Sequence, residues 1–183
     1  IFFVADVSGH SISASMFTAI VKMVFRNALK LTEDPGEIMT IVNQELSANL
    51  PVESFVTMFC GIIDSNSNVL KYSNAGHPKP YIITRDKVSE LGETDPFLGP
   101  IKDNKYPTRE VALDKGDMLF LYTDGMEDII DENFRQLNLK NLLDKLKEPS
   151  RDTRDKFISL TGEVGSDRYI RSDDCTIMLI SKK

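Results

Sequence analysis

Three places in the chain set a carboxylate against an apolar run. Ile1-Phe2-Phe3-Val4-Ala5 leads into Asp6, Met118 to Thr123 leads into Asp124-Gly125, and Asp173-Asp174 opens the run Cys175 to Ile180. The first run reads as a strand buried on both faces that ends at a charged oxygen ligand on the rim of a sheet. If the last two runs pair antiparallel, the end of one and the start of the other share an edge, and three carboxylate positions converge. Carboxylates gathered at one edge repel one another unless a cation or a proton compensates. Oxygen donors without an accompanying His or Cys pair suit Mg²⁺ or Mn²⁺ rather than Zn²⁺. Two such ions about 3.5–4 Å apart would acidify a water for in-line attack on a phosphate ester. Taken singly each signal is weak, because Asp-Gly after a strand is a common turn and an Asp pair often just begins one.

The elements that must position these residues can be read from periodicity. A loop of small residues, Val7-Ser8-Gly9-His10-Ser11, follows the first run and lets backbone approach a ligand closely. Ser13 to Leu31 carries Phe17, Ile20, Val21, Val24, Phe25 and Ala28 at helical spacing. Asp34-Pro35-Gly36-Glu37 combines an N-cap, a first-turn proline and a glutamate three residues after the cap, which predicts a second helix to about Ala48. Beyond Phe55 the period becomes that of strands. Phe55 to Asp64 and Val69 to Asn74 predict a hairpin around Ser65-Asn66-Ser67-Asn68, and Tyr81 to Thr84 with Val88 to Leu91 a second. Thr108 to Leu113 and Met118 to Thr123 predict a third around Lys115-Gly116. Leu137 to Leu146 and Arg151 to Thr161 read as helices before the final strand. The expected class is α+β, with sheet packed on sheet and helices outside.

Composition narrows the function classes. The 183 residues are 41% hydrophobic, enough for one domain with a sizeable core. A net charge of -6 and a pI near 5.0 argue against nucleic acid as a partner. The basic groupings at Arg151 to Lys156 and Lys182-Lys183 read as solvated surface. Cys60 and Cys175 lie within apolar runs and read as small buried hydrophobes, which points to a reducing cytoplasm rather than a disulfide framework. No segment approaches the roughly 18 apolar residues of a membrane span. The chain starts in mid-strand without an initiator methionine and is read as part of a longer protein.

Five motifs occur together in order: Asp6-Val7-Ser8-Gly9-His10, Ser73-Asn74-Ala75-Gly76-His77-Pro78, Pro96-Phe97-Leu98-Gly99, Tyr122-Thr123-Asp124-Gly125 and Asp173-Asp174-Cys175-Thr176. In order and spacing they resemble the PPM-type (protein phosphatase 2C-like) serine/threonine phosphatases, most closely the bacterial SpoIIE/RsbU branch, over nearly the whole chain. The resemblance implies a four-layer α-β-β-α sandwich, a binuclear Mn²⁺/Mg²⁺ centre and hydrolysis of phosphoserine or phosphothreonine on a protein. It implies further that the substrate is a small anti-anti-sigma (STAS) domain in a partner-switching pathway, and that the domain is the cytoplasmic output end of a longer sensor. Separately, an unpaired apolar edge at Ile1 to Ala5 invites self-association, a dimer included. By position, Asp6 would bridge both ions, the Val7 carbonyl would bind one of them, and Asp124 and Asp173 would hold the other, with Asp174 the alternative to Asp173. His10 and His77 are candidate acids for the leaving serine oxygen, although loop histidines more often cap or pack. Ser8 is a poorer candidate nucleophile, lacking the G-x-S-x-G elbow.

Two departures stand out. Ser11 occupies the place of the usual glycine after the histidine. The family also carries an acidic ligand on a strand upstream of Asp6, so the domain is expected to be truncated at its N-terminus and its second ion weakly held. The alternative to an enzyme is a phosphatase-like module that binds a regulatory partner without turnover, which has no need of paired carboxylates.

Overall fold

The computed structural model describes all residues except 10–11, 52, 65–66, 148–151 and 183. In chain order its elements are β1 (Phe2–Val7), α1 (Ile12–Ala28), α2 (Pro35–Asn49), β2 (Val56–Asp64), β3 (Val69–Ala75), β4 (Tyr81–Ile83), β5 (Val88–Glu90) and β6 (Arg109–Ala112). Then follow β7 (Met118–Tyr122), β8 (Ile130–Asp131), α3 (Leu139–Asp144), α4 (Thr153–Val164), β9 (Tyr169–Ile170) and β10 (Ile177–Ser181). Single 3-10 turns occupy Asp124–Met126 and Lys145–Lys147. These elements form two units, residues 1–77 with 93–112 and residues 78–92 with 113–183.

In the first unit the sheet runs β1-β2-β3-β6, antiparallel throughout. The helical stripe read from sequence supplies its cover: Val21, Val24, Phe25 and Ala28 of α1 are buried with Ile38, Met39, Val42 and Leu46 of α2 against Val56, Met58 and Cys60. The α2 start forms as its sequence dictates, with the Glu37 N–H donating to Asp34 Oδ1 at 3.0 Å and Pro35 in the first turn. Asp34 Oδ1 also accepts from the Thr108 hydroxyl at 2.6 Å, and Thr108 Oγ1 accepts from the Gly36 N–H at 2.9 Å. The cap therefore ties α2 to the chain entering β6.

The reading of β1 as buried on both faces holds only in part. Its partner among the described residues is β2 alone, and only Val4 of its six residues is fully buried. Phe2 covers Phe59 on one face, ring centres 6.2 Å apart, and Phe3 meets Phe25 of α1 on the other at 4.1 Å. Apolar cover on both faces accounts for the apolar run, and the edge position accounts for its partial exposure.

In the second unit the sheet runs β10-β7-β4-β5, again antiparallel. All five residues of β7 are buried, as its unbroken apolar run requires of a central strand. Leu142, Leu143 and Leu146 with Leu160 and Val164 of α4 pack on Ile83, Met118 and Phe120. Each sheet thus carries its own pair of helices, and the α+β class with two antiparallel sheets holds. The predicted hairpin between β6 and β7 does not form: β6 pairs with β3 and β7 with β4 and β10. The Lys115-Gly116 turn exists, with the Asp117 N–H donating to the Asp114 carbonyl at 3.0 Å. It redirects the chain instead of folding it back, because the half-exposed β6 and the wholly buried β7 suit different sheets. The β8–β9 ribbon has two residues per strand, too short for any period to reveal. The turn expected at Ser65 to Asn68 lies partly outside the described residues.

One buried polar residue orders a long loop. Asn43 on α2 is fully buried, and its Nδ2 donates to the carbonyls of Ile101 (2.8 Å) and Lys102 (3.1 Å) while its Oδ1 accepts from the Gly99 N–H (2.9 Å). Ser47, one turn on, donates to the Gly99 carbonyl at 2.7 Å. Asn43→Leu would strand these backbone groups, each costing about 1–3 kcal/mol when left unpaired. Because Ile101 and Lys102 are exposed and water can satisfy their carbonyls, the net loss in urea unfolding should be about 1–3 kcal/mol, the cost of the Gly99 N–H, with faster proteolysis between residues 97 and 106. A loss below about 0.5 kcal/mol, ordinary for a surface change, would contradict it.

Candidate active site

Within the first unit the motif residues gather at one rim of the sheet. Asp6 and Val7 end β1 opposite Thr57 and Val56. The chain is then turned by Ser8, whose N–H donates to the Phe55 carbonyl at 3.0 Å and whose Oγ accepts from the Phe55 N–H at 2.9 Å. Ser8 thus clasps the strand end. Gly9 continues at φ +92, a conformation that favours glycine. His10, a candidate acid, lies outside the described residues, as does Ser11.

The Asn74 to Pro78 loop is fastened beside this strand end. The His77 N–H donates to Asn74 Oδ1 (2.9 Å), and Asn74 Nδ2 donates to the His77 carbonyl (3.1 Å). His77 is 2% exposed, and its Nδ1 lies 3.0 Å from Thr57 Oγ1, on the strand position facing Asp6. Through these bonds His77 packs and orients the loop it belongs to. The Gly76 N–H donates to the Asp95 carbonyl at 2.8 Å, and a Cβ at Gly76 would lie 2.5 Å from the Phe97 ring. The Pro96 to Gly99 motif docks there by pairing Leu98 with Val56 and setting Phe97 against Phe55, ring centres 4.8 Å apart. Asp95 closes the assembly through a two-point ion pair with Arg109 of β6. The hydrogen bond to Asp95 holds the Arg109 guanidinium above its usual pKa. Thr57, Asp95 and Arg109 were missed by motif reading, although Asp95 directly precedes the Pro-Phe-Leu-Gly motif.

Within the second unit the antiparallel pairing of β7 and β10 brings two acidic segments together. The Thr123 N–H donates to the Thr176 carbonyl (3.1 Å), and the Thr176 N–H donates to Thr123 Oγ1 (2.9 Å), so one threonine joins the strand ends. Asp124 then begins a 3-10 turn and accepts at Oδ1 from the Gly125 N–H at 3.1 Å. Gly125 has an ordinary φ but no room for a side chain: an added Cβ would collide with the Asp174 carbonyl oxygen and lie 2.9 Å from its carbon. That contact holds Asp173-Asp174 against the Asp124 turn. The side chains of Asp124, Asp173 and Asp174 face solvent, and Asp173 Oδ1 accepts from the Asp174 N–H at 2.7 Å.

The structure thus joins Asp124 with Asp173 and Asp174 in one unit, whereas Asp6 and Val7 belong to the other. Among the described residues no three His, Cys, Asp or Glu side chains are already grouped closely enough to hold an ion. The donors on the Asp124 rim are exposed carboxylates only, a chemistry that fits a hard divalent cation. Thiolate ligation does not fit: burial pushes the Cys60 thiol up to about 12, and burial also raises that of Cys175. Beside the rim Tyr122 donates to Glu127 Oε1 at 3.1 Å, and its burial, reinforced by the Glu127 charge, raises its pKa and keeps it neutral.

Among solved structures the chain is similar to the SiaA-PP2C domain of Pseudomonas aeruginosa, with TM-score 0.79 and 21% identity over 98% of this chain and 74% of that one. It is also similar to the RsbU and RsbW domains of Rv1364c from Mycobacterium tuberculosis, with TM-score 0.82 and 20% identity over 99% and 51%. RsbX in complex with magnesium gives TM-score 0.69 and 20% identity over 97% and 78%. The fold is that of a PP2C-type phosphatase domain. Among curated proteins it is 23% identical to phosphoserine phosphatase RsbU and 24% identical to phosphoserine phosphatase RsbP, both of Bacillus subtilis (strain 168), over 98% and 96% of this chain. It spans only 55% and 44% of their lengths. The Stage II sporulation protein E (SpoIIE) family model matches residues 1–183, and the chain belongs to that family.

Proposed function

We propose that this chain is the catalytic domain of a protein phosphoserine or phosphothreonine phosphatase that works with Mn²⁺ or Mg²⁺. The observation that carries the reading is the packing of Gly125 on the Asp174 backbone, which keeps two exposed acidic segments together at adjacent strand ends. Such an arrangement of like charges makes sense when a cation compensates them. The names of RsbU and RsbP as phosphoserine phosphatases and the magnesium in the RsbX complex support the same assignment.

In this reading Asp6 and the Val7 carbonyl would serve as metal donors, as would Asp124 with either Asp173 or Asp174. Bound ions would supply the Lewis acidity that turns water into a nucleophile and neutralises the phosphoryl oxygens. The chain's own part is to fix the donors. Ser8 and Thr57 hold the β1 end, Thr123 and Gly125 hold the β7 end, and the Asn74–His77 and Asp95–Arg109 contacts brace the loops beside Asp6.

The proposed substrate is a phosphorylated STAS-like protein in a partner-switching pathway, in line with the RsbW domain beside the RsbU domain in the similar mycobacterial chain. The sequence holds no G-x-x-x-x-G-K-[ST] phosphate loop and no Gly-rich dinucleotide turn, so nucleotides are poor substrates in this reading. No described helix is long and apolar enough to cross a membrane. We place the domain as the cytoplasmic output end of a longer sensor.

The test is turnover of a phosphoserine STAS protein against that of ATP with Mn²⁺ present. The phosphoprotein should be favoured in kcat/KM by at least about 100-fold, the margin that roughly 2.7 kcal/mol of differential transition-state binding provides. Faster hydrolysis of ATP would overturn the substrate class. Retained STAS binding without turnover of either would identify the non-catalytic module instead.

A further inference from the structure

At the end of the second unit's sheet away from Asp124, two turns stand side by side. The pairing of Ile83 with Met118 places the Thr84–Lys87 turn of the β4–β5 hairpin next to the Asp114–Asp117 turn that precedes β7. A cavity of about 340 Å³ opens between these turns, the end of the Lys145–Lys147 turn and α4. Four cations from four separate segments line it, Arg85, Lys115, Lys147 and Lys156, against the single carboxylate Asp117. This occurs in a chain whose net charge is -6.

Two of the cations are already engaged. Lys147 pairs with Asp144 at 2.7 Å, and Lys156 donates to the Leu146 carbonyl. Asp117 is engaged as well, its Oδ2 accepting from the Asp114 N–H at 3.0 Å. Arg85 and Lys115 have no hydrogen-bond or ion-pair partner among the described residues. The fixed cations therefore form one wall, and two uncommitted ones stand on the turns. Solvated lysines on an open surface spread apart to reduce their repulsion, whereas these share one concavity. An Arg with three Lys suits an oxyanion carrying several charges, with the guanidinium gripping two oxygens and the ammonium groups acting as point charges.

We propose that this cavity binds a small oxyanion of the polyphosphate class, either free or as the phosphate end of a nucleotide. The site is separate from the Asp124 rim: β7 begins at its edge with Met118, and Asp124 lies six residues further on, about 20 Å at strand rise. It needs no divalent ion, so it stands whether or not the proposed reaction is correct. The Lys156 region, which reads as solvated surface in the sequence, becomes part of a site only once Arg85, Lys115 and Lys147 are brought beside it.

The test is calorimetric titration of the chain with pyrophosphate, and separately with ADP, at low ionic strength with a chelator to remove divalent ions. Saturable one-to-one binding is expected. Arg85→Gln combined with Lys115→Gln should weaken it at least about tenfold, the loss of roughly one charge-assisted contact. Lys22→Gln combined with Arg26→Gln, an equal change of charge on the exposed side of α1, should leave it within about twofold. ADP binding lost through the same two residues would identify a nucleotide as the source, and pyrophosphate binding without ADP binding would identify the free anion. Absence of saturable binding, or equal weakening by both double variants, would overturn the proposal. All four side chains are exposed, so the variants should fold.

Discussion

Asp124→Asn is expected to weaken Mn²⁺ binding by about 100-fold or more, because removal even of a residue that only orients a ligand costs 10–100-fold. Activity at limiting Mn²⁺ should fall at least as far. The metal-free fold should be unaffected. Asp124 is exposed, and its Oδ1 accepts from the Gly125 N–H in its own turn, a bond that an asparagine oxygen can also accept. Removing a charge beside Asp173 and Asp174 should even relieve repulsion there. Thermal unfolding separates the two effects. At a Mn²⁺ concentration 100 times the dissociation constant, the parent chain gains about 2.7 kcal/mol, whereas a variant with 100-fold weaker affinity gains about 0.4 kcal/mol at the same concentration. A melting temperature that responds to Mn²⁺ equally in both chains would remove Asp124 from the metal site.

Gly125→Ala is expected to be nearly as damaging, although it removes no functional group. The methyl would occupy the place of the Asp174 carbonyl, and that neighbour is backbone, so it cannot swing aside as a flexible side chain would. Either the 3-10 turn carrying Asp124 or the segment carrying Asp173 and Asp174 must shift. Displacements near 1 Å at a catalytic constellation cost about 100-fold in rate. Overpacking of this kind costs about 1–3 kcal/mol in stability, so the variant should fold, bind Mn²⁺ weakly and turn over slowly. Gly162→Ala serves as the comparison, because nothing lies within 4 Å of a Cβ at that helical position. Parent-like kinetics in Gly125→Ala would show that the contact does not hold the acidic segments together.

What was legible in the sequence was local or carried by unambiguous chemistry. The Asp34 cap, the α1 stripe from Ile20 to Ala28 and the β4–β5 turn depend on residues a few positions apart, and these form, whereas Phe17 at the start of the stripe is only half-buried. Two apolar runs bearing acids at opposite ends bring the Asp124 and Asp173 segments together if they pair antiparallel, and β7 and β10 do pair in that sense. The pairing of β6 with β3 was not legible, because nothing in Arg109 to Ala112 distinguishes a partner beyond the next turn from one forty residues back. Asn43 also escaped notice. In sequence it is a polar residue on a helix, and only the returning loop at Gly99 to Lys102 gives it a role. The Gly125 contact was hidden for a related reason: Asp-Gly reads as a turn, whereas this glycine is required for space and not for a left-handed φ.

The two units are interleaved along the chain, and this constrains synthesis from the N-terminus. A ribosome releases β1, β2 and β3, then the β4–β5 hairpin belonging to the other sheet, and only afterwards β6, which covers the outer side of β3. During that interval the nascent first sheet presents Val69, Leu70 and Tyr72 of β3 along an open edge. Uncovered strand edges are sites of intermolecular pairing. Slow elongation between residues 76 and 112 would lengthen the exposure, so synonymous codon choice in that stretch becomes a determinant of how much chain reaches the native state.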